Sequence, residues 1–400
     1  TEQDYLILIR LDNMYARLVK LVSSNNLRSQ NILNIMEKII ILRNRVIGSI
    51  YQTIIKPILF KFDPERAHNL FINIGKFLGS NFLTRYLTSL ILNYQNPVLE
   101  QKILGIKFNN PVGLSAGFDK NADLVNIVED VGFGFIEAGS ITANECPGNS
   151  GIRLIRFPEK KSIWVHLGLN NKGADKISKK LKNLKHNIVL GISVAKTNCK
   201  ENSNTNKGIK DYAYTLEKFQ TNNIGDFFVI NISCPNSFGG QPFHKPDLYE
   251  NLLKEINKLK IKKPIFVKLS PDITIKNLDR IISISFKYKI DGFVCSNLTK
   301  NHSLGKGGLS GKAVEEKANN QLRYIYKRTK RKFILIGVGG IFNAEDAYKK
   351  IKFGASLVAL ITGMVYEGPQ LISNINLGIT KMLNKDGYKN ISEAIGADVK

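Results

Sequence analysis

The sequence predicts an α/β fold, a (β/α)8 TIM barrel preceded by a small N-terminal helical extension, and three observations carry that prediction. From residue 104 onward, short apolar runs alternate with amphipathic stretches at a spacing of about 25–45 residues, the mark of repeated strand–helix units. There are eight such runs. Nearly every one ends in a polar or glycine cluster, as the catalytic face of a barrel requires. Eight equal units close into a barrel more readily than they spread into a doubly wound open sheet.

The strands fall, in order, in Asn110–Gly117, Phe133–Ser140, Asn187–Ala195, Phe227–Ser233, Pro264–Ser270, Asp291–Asn297, Phe333–Gly340 and Ser356–Gly363. Their continuous Val, Ile and Leu content suits parallel strands buried on both faces. Between them lie helical patterns such as "LYENLLKEINKLK" and "IKNLDRIISISFKY", with polar starts and lysine-rich ends. Seven helical connections and a final helix after Gly368 complete the barrel. Ahead of it, Asp63 is placed to cap a helix whose first residue is Pro64. The expected division is a basic amphipathic extension over 1–49, a helical segment over 50–95, the barrel over 96–385 and a tail over 386–400. "NILNIMEKIIILRNRVIGSI" has the apolar spacing of an amphipathic helix. It reads equally as a helix packed on the domain and as an interfacial membrane segment.

Composition narrows the function. Four hundred residues, 43% hydrophobic and 23% charged, suffice for one large core. The net charge of +25 comes from lysines spread along the whole chain with Asn and Ile, and no aromatic-interleaved basic motif accompanies it. Nucleic-acid binding is therefore not expected, whereas a basic surface facing anionic lipid stays open. No run of about 18 apolar residues exists, so a spanning helix is not expected either. Cys146, Cys199, Cys234 and Cys295 are scattered, which suggests neither a metal site nor a disulfide framework.

Polar groups collect at the strand ends. Gly339-Gly340 and Thr362-Gly363 follow the seventh and eighth strands, where backbone N–H groups and a helix N-terminus cradle phosphate in a barrel. A phosphorylated cofactor is the expectation. Lys120 and Lys268 end the first and fifth strands at the same mouth. Fixed cations there suit a cofactor that gains negative charge on reduction, such as a flavin. In "FFVINISCPNSFGG" a cysteine, Cys234, sits among amides just where a buried strand ends. Such a thiol reads either as a core residue or as part of a site.

The motifs "SAGFDKNAD", "GFGFIEAGSIT", "NISCPNS", "FVKLSPD", "GGLSG", "IGVGGI" and "GASLVALITG", in this order, resemble the dihydroorotate dehydrogenases. "KPILFKFDPERAH" further resembles the N-terminal helices of their membrane-associated, quinone-reducing class, in which these helices form a hydrophobic tunnel to the flavin. The resemblance implies oxidation of dihydroorotate to orotate in pyrimidine biosynthesis, with FMN as cofactor and ubiquinone or menaquinone as acceptor. It also implies peripheral association with a bacterial or mitochondrial inner membrane.

Carried over by position, FMN contacts fall on Ala116, Gly117, Lys120, Ser140, Ser193, Asn231, Lys268, Ser296, Gly311, Gly340 and Thr362. Lys120, Asn231, Asn236, Ser237 and Asn297 match substrate-binding positions, and amides suit a ring of alternating N–H and C=O groups. His68 and Arg156 match positions near the quinone. Cys234 falls where the family carries the base that removes the C5 proton. That position is usually serine in the quinone-reducing class and cysteine in the soluble class. A thiol ionises more readily than a hydroxyl and needs less help as a base. The chain departs from the family at Val165, Ser193, Leu298 and Ile361. Two other readings stay open: an FMN barrel oxidoreductase acting on a related substrate, and a degenerate structural subunit of a membrane assembly.

Overall fold

The computed structural model describes residues 27–399 except Pro235, Ser237 and Gln241, with side chains described from residue 34. Residues 1–26 of the amphipathic extension expected over 1–49, and the substrate contact expected of Ser237, lie outside the described residues. Eight parallel strands close into a barrel: β1 (Val112–Leu114), β2 (Phe135–Ile141), β3 (Val189–Val194), β4 (Phe227–Asn231), β5 (Ile265–Lys268), β6 (Gly292–Cys295), β7 (Ile334–Val338) and β8 (Leu357–Leu360). Each pairs with its successor, and β8 pairs with β1.

Alternation along the strands divides the core in two. Ile136, Leu190, Ile192, Phe228 and Ile230 belong to the large core that includes the surrounding helices. Phe135, Phe227, Val229 and Phe266 point the other way and fill the barrel floor. Glycines on neighbouring strands make room for these rings. A Cβ on Gly113 would lie 2.2 Å from the Phe135 ring, and one on Gly191 would lie 2.3 Å from the Phe227 ring. The hairpin of Gln101–Ile103 and Ile106–Phe108 closes the floor through Ile103 and Phe108. The lower barrel is thus filled by side chains among the described residues, and a cavity opens at the C-terminal mouth.

Six connections carry α-helices among the described residues, not the seven expected. The exception joins β1 to β2. There the Asp119 carboxylate accepts from Asp123 N (2.7 Å) and Leu124 N (2.8 Å), holding a run of turns that buries Leu124, Val125, Ile127 and Val128. A small antiparallel sheet absent from the sequence reading stands beside the mouth, formed by Leu154–Phe157, Ser162–Val165 and Gly308–Gly311.

At the N-terminus, helix Leu27–Ile50 continues through one wide turn, Tyr51–Ile55, into Lys56–Leu59. Pro57 gives the reason for the wide turn: it lacks an N–H, and its ring crowds the carbonyl four residues back. The helical run therefore passes straight through the division expected at residue 49. Arg43 and Asn44 fasten it to helix Leu371–Asp386 by hydrogen bonds of 2.8 and 3.0 Å to Ser373 Oγ. Asp63 caps Pro64–Leu78 through Glu65 N and Arg66 N, and Phe82–Leu92 follows. The expected tail contains the short helix Ile391–Ala394, whose two end residues are fully buried.

Candidate active site

A cavity of about 300 Å³ occupies the C-terminal mouth of the barrel. Its lower wall comes from the strand ends, and its outer wall comes from Tyr51, Leu59, Phe60, Ala67, His68 and Phe71 of the N-terminal helices. Of the expected site residues, Ala116, Gly117, Lys120, Ser140, Asn231, Cys234, Asn236, Lys268, Ser296, Asn297, Gly311, Gly340, Thr362, His68 and Arg156 all line it. Ser193 does not. Strand register places it fully buried behind Ser140, with the two hydroxyl oxygens 2.8 Å apart.

Register also sets Asn231 beside Lys268 at the ends of β4 and β5. The Asn231 amide is fixed on both sides. Its Nδ2 donates to Ser140 Oγ (2.8 Å), and its Oδ1 accepts from Ser233 N (3.1 Å) and Ser233 Oγ (2.9 Å). Asn297 Nδ2 donates to Ser233 Oγ at 2.9 Å. Two amides therefore reach the cavity already oriented, through side chains on β2, β4 and the loop after β6.

The Lys268 ammonium donates to Ser115 Oγ (3.0 Å) and lies 3.4 Å from Glu137 Oε2, with both charged side chains buried. Glu137 escaped the sequence reading although it is the lone acid in "FGFIEAGS". That acid inside an apolar strand was the available signal, since a buried carboxylate requires a partner.

The residues fit a phosphorylated, ring-bearing cofactor. Gly311, Gly339 and Gly340 all have φ between +78° and +98°. A Cβ on Gly340 would lie 2.3 Å from Glu315 Cβ, and one on Gly363 would lie 2.0 Å from Ile341 O, so these turns stay tight and their backbone stays accessible. Thr362 opens helix Thr362–Glu367, and its hydroxyl lies 2.8 Å from that of Ser310. The Ser296 hydroxyl lines the cavity, buried and without a hydrogen-bond partner among the described residues. A polar atom left unpaired there is one that a ligand can satisfy.

Lys120 and His68 join the barrel to the N-terminal helices. Burial and the neighbouring Lys120 cation hold the imidazole down to about 3, so His68 is neutral near pH 7. Burial lowers Lys120 to about 8, against the upward pull of Glu65. Arg156 stacks 4.5 Å from the Phe60 ring centroid and donates to the carbonyls of Leu59 and Phe62. Its guanidinium thereby fastens the end of the long helical run to the small sheet. Burial pushes the Cys234 thiol up to about 11, with the Asn236 N–H and Lys196 opposing. Val165, Leu298 and Ile361, where the sequence departs from the resembled pattern, give the cavity an apolar wall.

The dihydroorotate dehydrogenase family model matches residues 98–383. A dihydroorotate dehydrogenase (quinone) of Trichodesmium erythraeum is 35% identical over 378 residues, covering 87% of this chain and 98% of its own length. One from Christiangramia forsetii is 38% identical over 338 residues, covering 82% and 97%. Among solved structures, Eimeria tenella dihydroorotate dehydrogenase in complex with ferulenol matches with a TM-score of 0.73 at 27% identity, over 84% of this chain and 96% of that one. With barrel, strand-end motifs and relatives in agreement over most of its length, the chain belongs to the dihydroorotate dehydrogenase family.

Proposed function

We propose that this protein oxidises dihydroorotate to orotate, with FMN as the bound flavin and a membrane quinone, ubiquinone or menaquinone, as electron acceptor. The observation that carries the reading is one cavity shared by Cys234, Lys120, three asparagine amides and an apolar wall of N-terminal helix residues. FMN, when bound, would supply the acceptor for the hydride leaving C6 and the redox couple between substrate and quinone.

The chain's own residues do the rest. Cys234, as thiolate, takes the C5 proton onto sulfur, and Asn231, Asn236 and Asn297 hold the ring by its amide edges. Lys120 presents an ammonium to the anionic substrate. Lys268 would sit beside the flavin as the fixed cation, while Gly311, Gly340 and Thr362 would take the phosphate through backbone N–H groups and a hydroxyl.

Quinone approaches between the helices past Tyr51, Phe60 and Phe71, near the neutral His68. Ile35, Ile39, Leu42, Val46 and Ile50 form an exposed apolar stripe on the long helix, which supports peripheral association with a quinone-bearing inner membrane. Among the described residues no helix is long and apolar enough to cross a membrane.

The test is a dye-coupled assay with dihydroorotate and a short-chain quinone, together with identification of the chromophore released on denaturation. Turnover and released FMN are expected. Val165 and Leu298 favour a second reading, in which a related cyclic substrate is oxidised instead. Flavin reduction by that substrate and none by dihydroorotate would establish it.

A further inference from the structure

We propose that Lys196 is a positioning residue for Cys234: it clamps the loop that carries the thiol and holds a buried cation beside it. The proposal rests on the reading of Cys234 as the base. Lys196 follows β3 and is 3% exposed. Its stem lies against Gly208, where an added Cβ would come within 3.3 Å of Lys196 Cδ. Its ammonium donates to the carbonyl of Phe238, four residues beyond Cys234. Two positions further on, Asn198 Oδ1 accepts from Phe238 N at 2.7 Å. Two side chains from the same loop thus grip both backbone polar groups of one residue. Asn149 Nδ2 adds a bond to Asn236 O at 3.0 Å.

Lys196 and Cys234 also line a second cavity of about 10 Å³ together with Tyr212 and Phe243. Tyr212 donates to Asn231 O at 2.7 Å, which ties the cavity wall to the end of β4. Among the described residues Lys196 makes no ion pair. Asp211, the carboxylate that acts on it, is engaged by Ala143 N, Thr197 N and Asn202 Nδ2. Burial lowers the Lys196 pKa, and the Cys234 thiol, Cys199 and Asp211 act against that to hold the proton on the ammonium. The groups acting on the Cys234 thiol are the Asn236 N–H, Lys196 after β3, Cys146 after β2, Lys300 after β6 and the Tyr212 phenol. Burial opposes ionisation of the thiol, and the Asn236 N–H and the two lysines favour it.

Charge and clamp separate by mutation. Lys196→Gln keeps a donor for Phe238 O and removes the cation, Lys196→Met removes both, Lys196→Arg keeps the cation, and Asn198→Ala keeps the cation while removing the bonds to Phe238 N, Asn149 Oδ1 and Gly168 O. The first readout is the rate of iodoacetamide alkylation at Cys234 at about pH 8, followed by mass spectrometry of its peptide in the flavin-loaded protein. Loss of the cation is expected to slow alkylation roughly three- to ten-fold in the Gln and Met variants, greater thiolate nucleophilicity offsetting part of the lost thiolate. The Arg variant is expected to stay near wild type. Asn198→Ala should raise KM for dihydroorotate without slowing alkylation.

The second readout is stopped-flow flavin reduction by dihydroorotate, expected to fall with alkylation in the Gln variant. If Lys196→Met does not fold, the Gln and Arg pair alone decides. Equal alkylation rates in wild type and Lys196→Gln would overturn the proposal. Slowed alkylation with unchanged flavin reduction would leave the cation's effect standing and remove Cys234 from the proton transfer.

Discussion

Lys120 Nζ lies 3.2 Å from His68 Nε2, a hydrogen bond that carries a side chain of the barrel mouth directly onto the helix Pro64–Leu78. Because His68 is held neutral, it accepts this bond, and Lys120 keeps its charge up to about pH 8. The ammonium is present below that value and lost above it. The KM for the anionic substrate should accordingly rise above about pH 8, whereas flavin reduction at saturating substrate should keep rising as Cys234 ionises. Rapid kinetics across this range checks both limbs. A KM flat through pH 9 would count against Lys120 as the substrate cation.

The buried pair Lys268 and Glu137 is expected to behave asymmetrically. Lys268→Met strands a carboxylate whose Oε1 has no partner among the described residues, at a cost on the order of 3 kcal/mol of unfolding free energy. Adding Glu137→Gln should recover most of that stability. It should not recover flavin affinity, which depends on the cation. Denaturant unfolding with flavin titration on the single and double variants separates the two effects.

How much of this was legible in the sequence depends on how far apart the partners lie. All eight barrel strands coincide with apolar runs, because a strand buried on both faces announces itself locally. Glu137 did not, since its meaning comes from Lys268, which is far away in sequence and adjacent only after closure. Ser193 matched a cofactor position by motif, yet strand register turns it behind Ser140. The sheet of Leu154–Phe157, Ser162–Val165 and Gly308–Gly311 joins loops after β2 and β6, a pairing no local pattern encodes. Both sides of the division expected at residue 49 read as helical, and the wide turn at Tyr51–Ile55, which joins them into one run, has no local mark at that boundary.

The barrel floor gives a prediction independent of chemistry. Gly191→Ala puts a methyl 2.3 Å from the Phe227 ring. Overpacking of this kind costs about 1–3 kcal/mol. Thermal unfolding should show the loss, and the pairing Gly191→Ala with Phe227→Leu should restore part of it.

The exposed stripe predicts a separation of the two half-reactions. Leu42→Glu with Val46→Glu should weaken binding to anionic, quinone-loaded liposomes and lower turnover of a long-chain quinone several-fold. Flavin reduction by dihydroorotate should be unchanged. Co-sedimentation and the two kinetic assays, run on one preparation, make the comparison.

The central claim is that Cys234 moves the proton, and stopped-flow reduction of the bound flavin by dihydroorotate tests it most directly. Cys234→Ala is expected to keep the fold and the flavin spectrum while slowing reduction by a factor of about 10²–10⁴. Cys234→Ser should retain part of the rate, with its pH dependence displaced upward. A core thiol would instead give modest destabilisation with little kinetic effect. Equal reduction rates in wild type and Cys234→Ala would contradict the account.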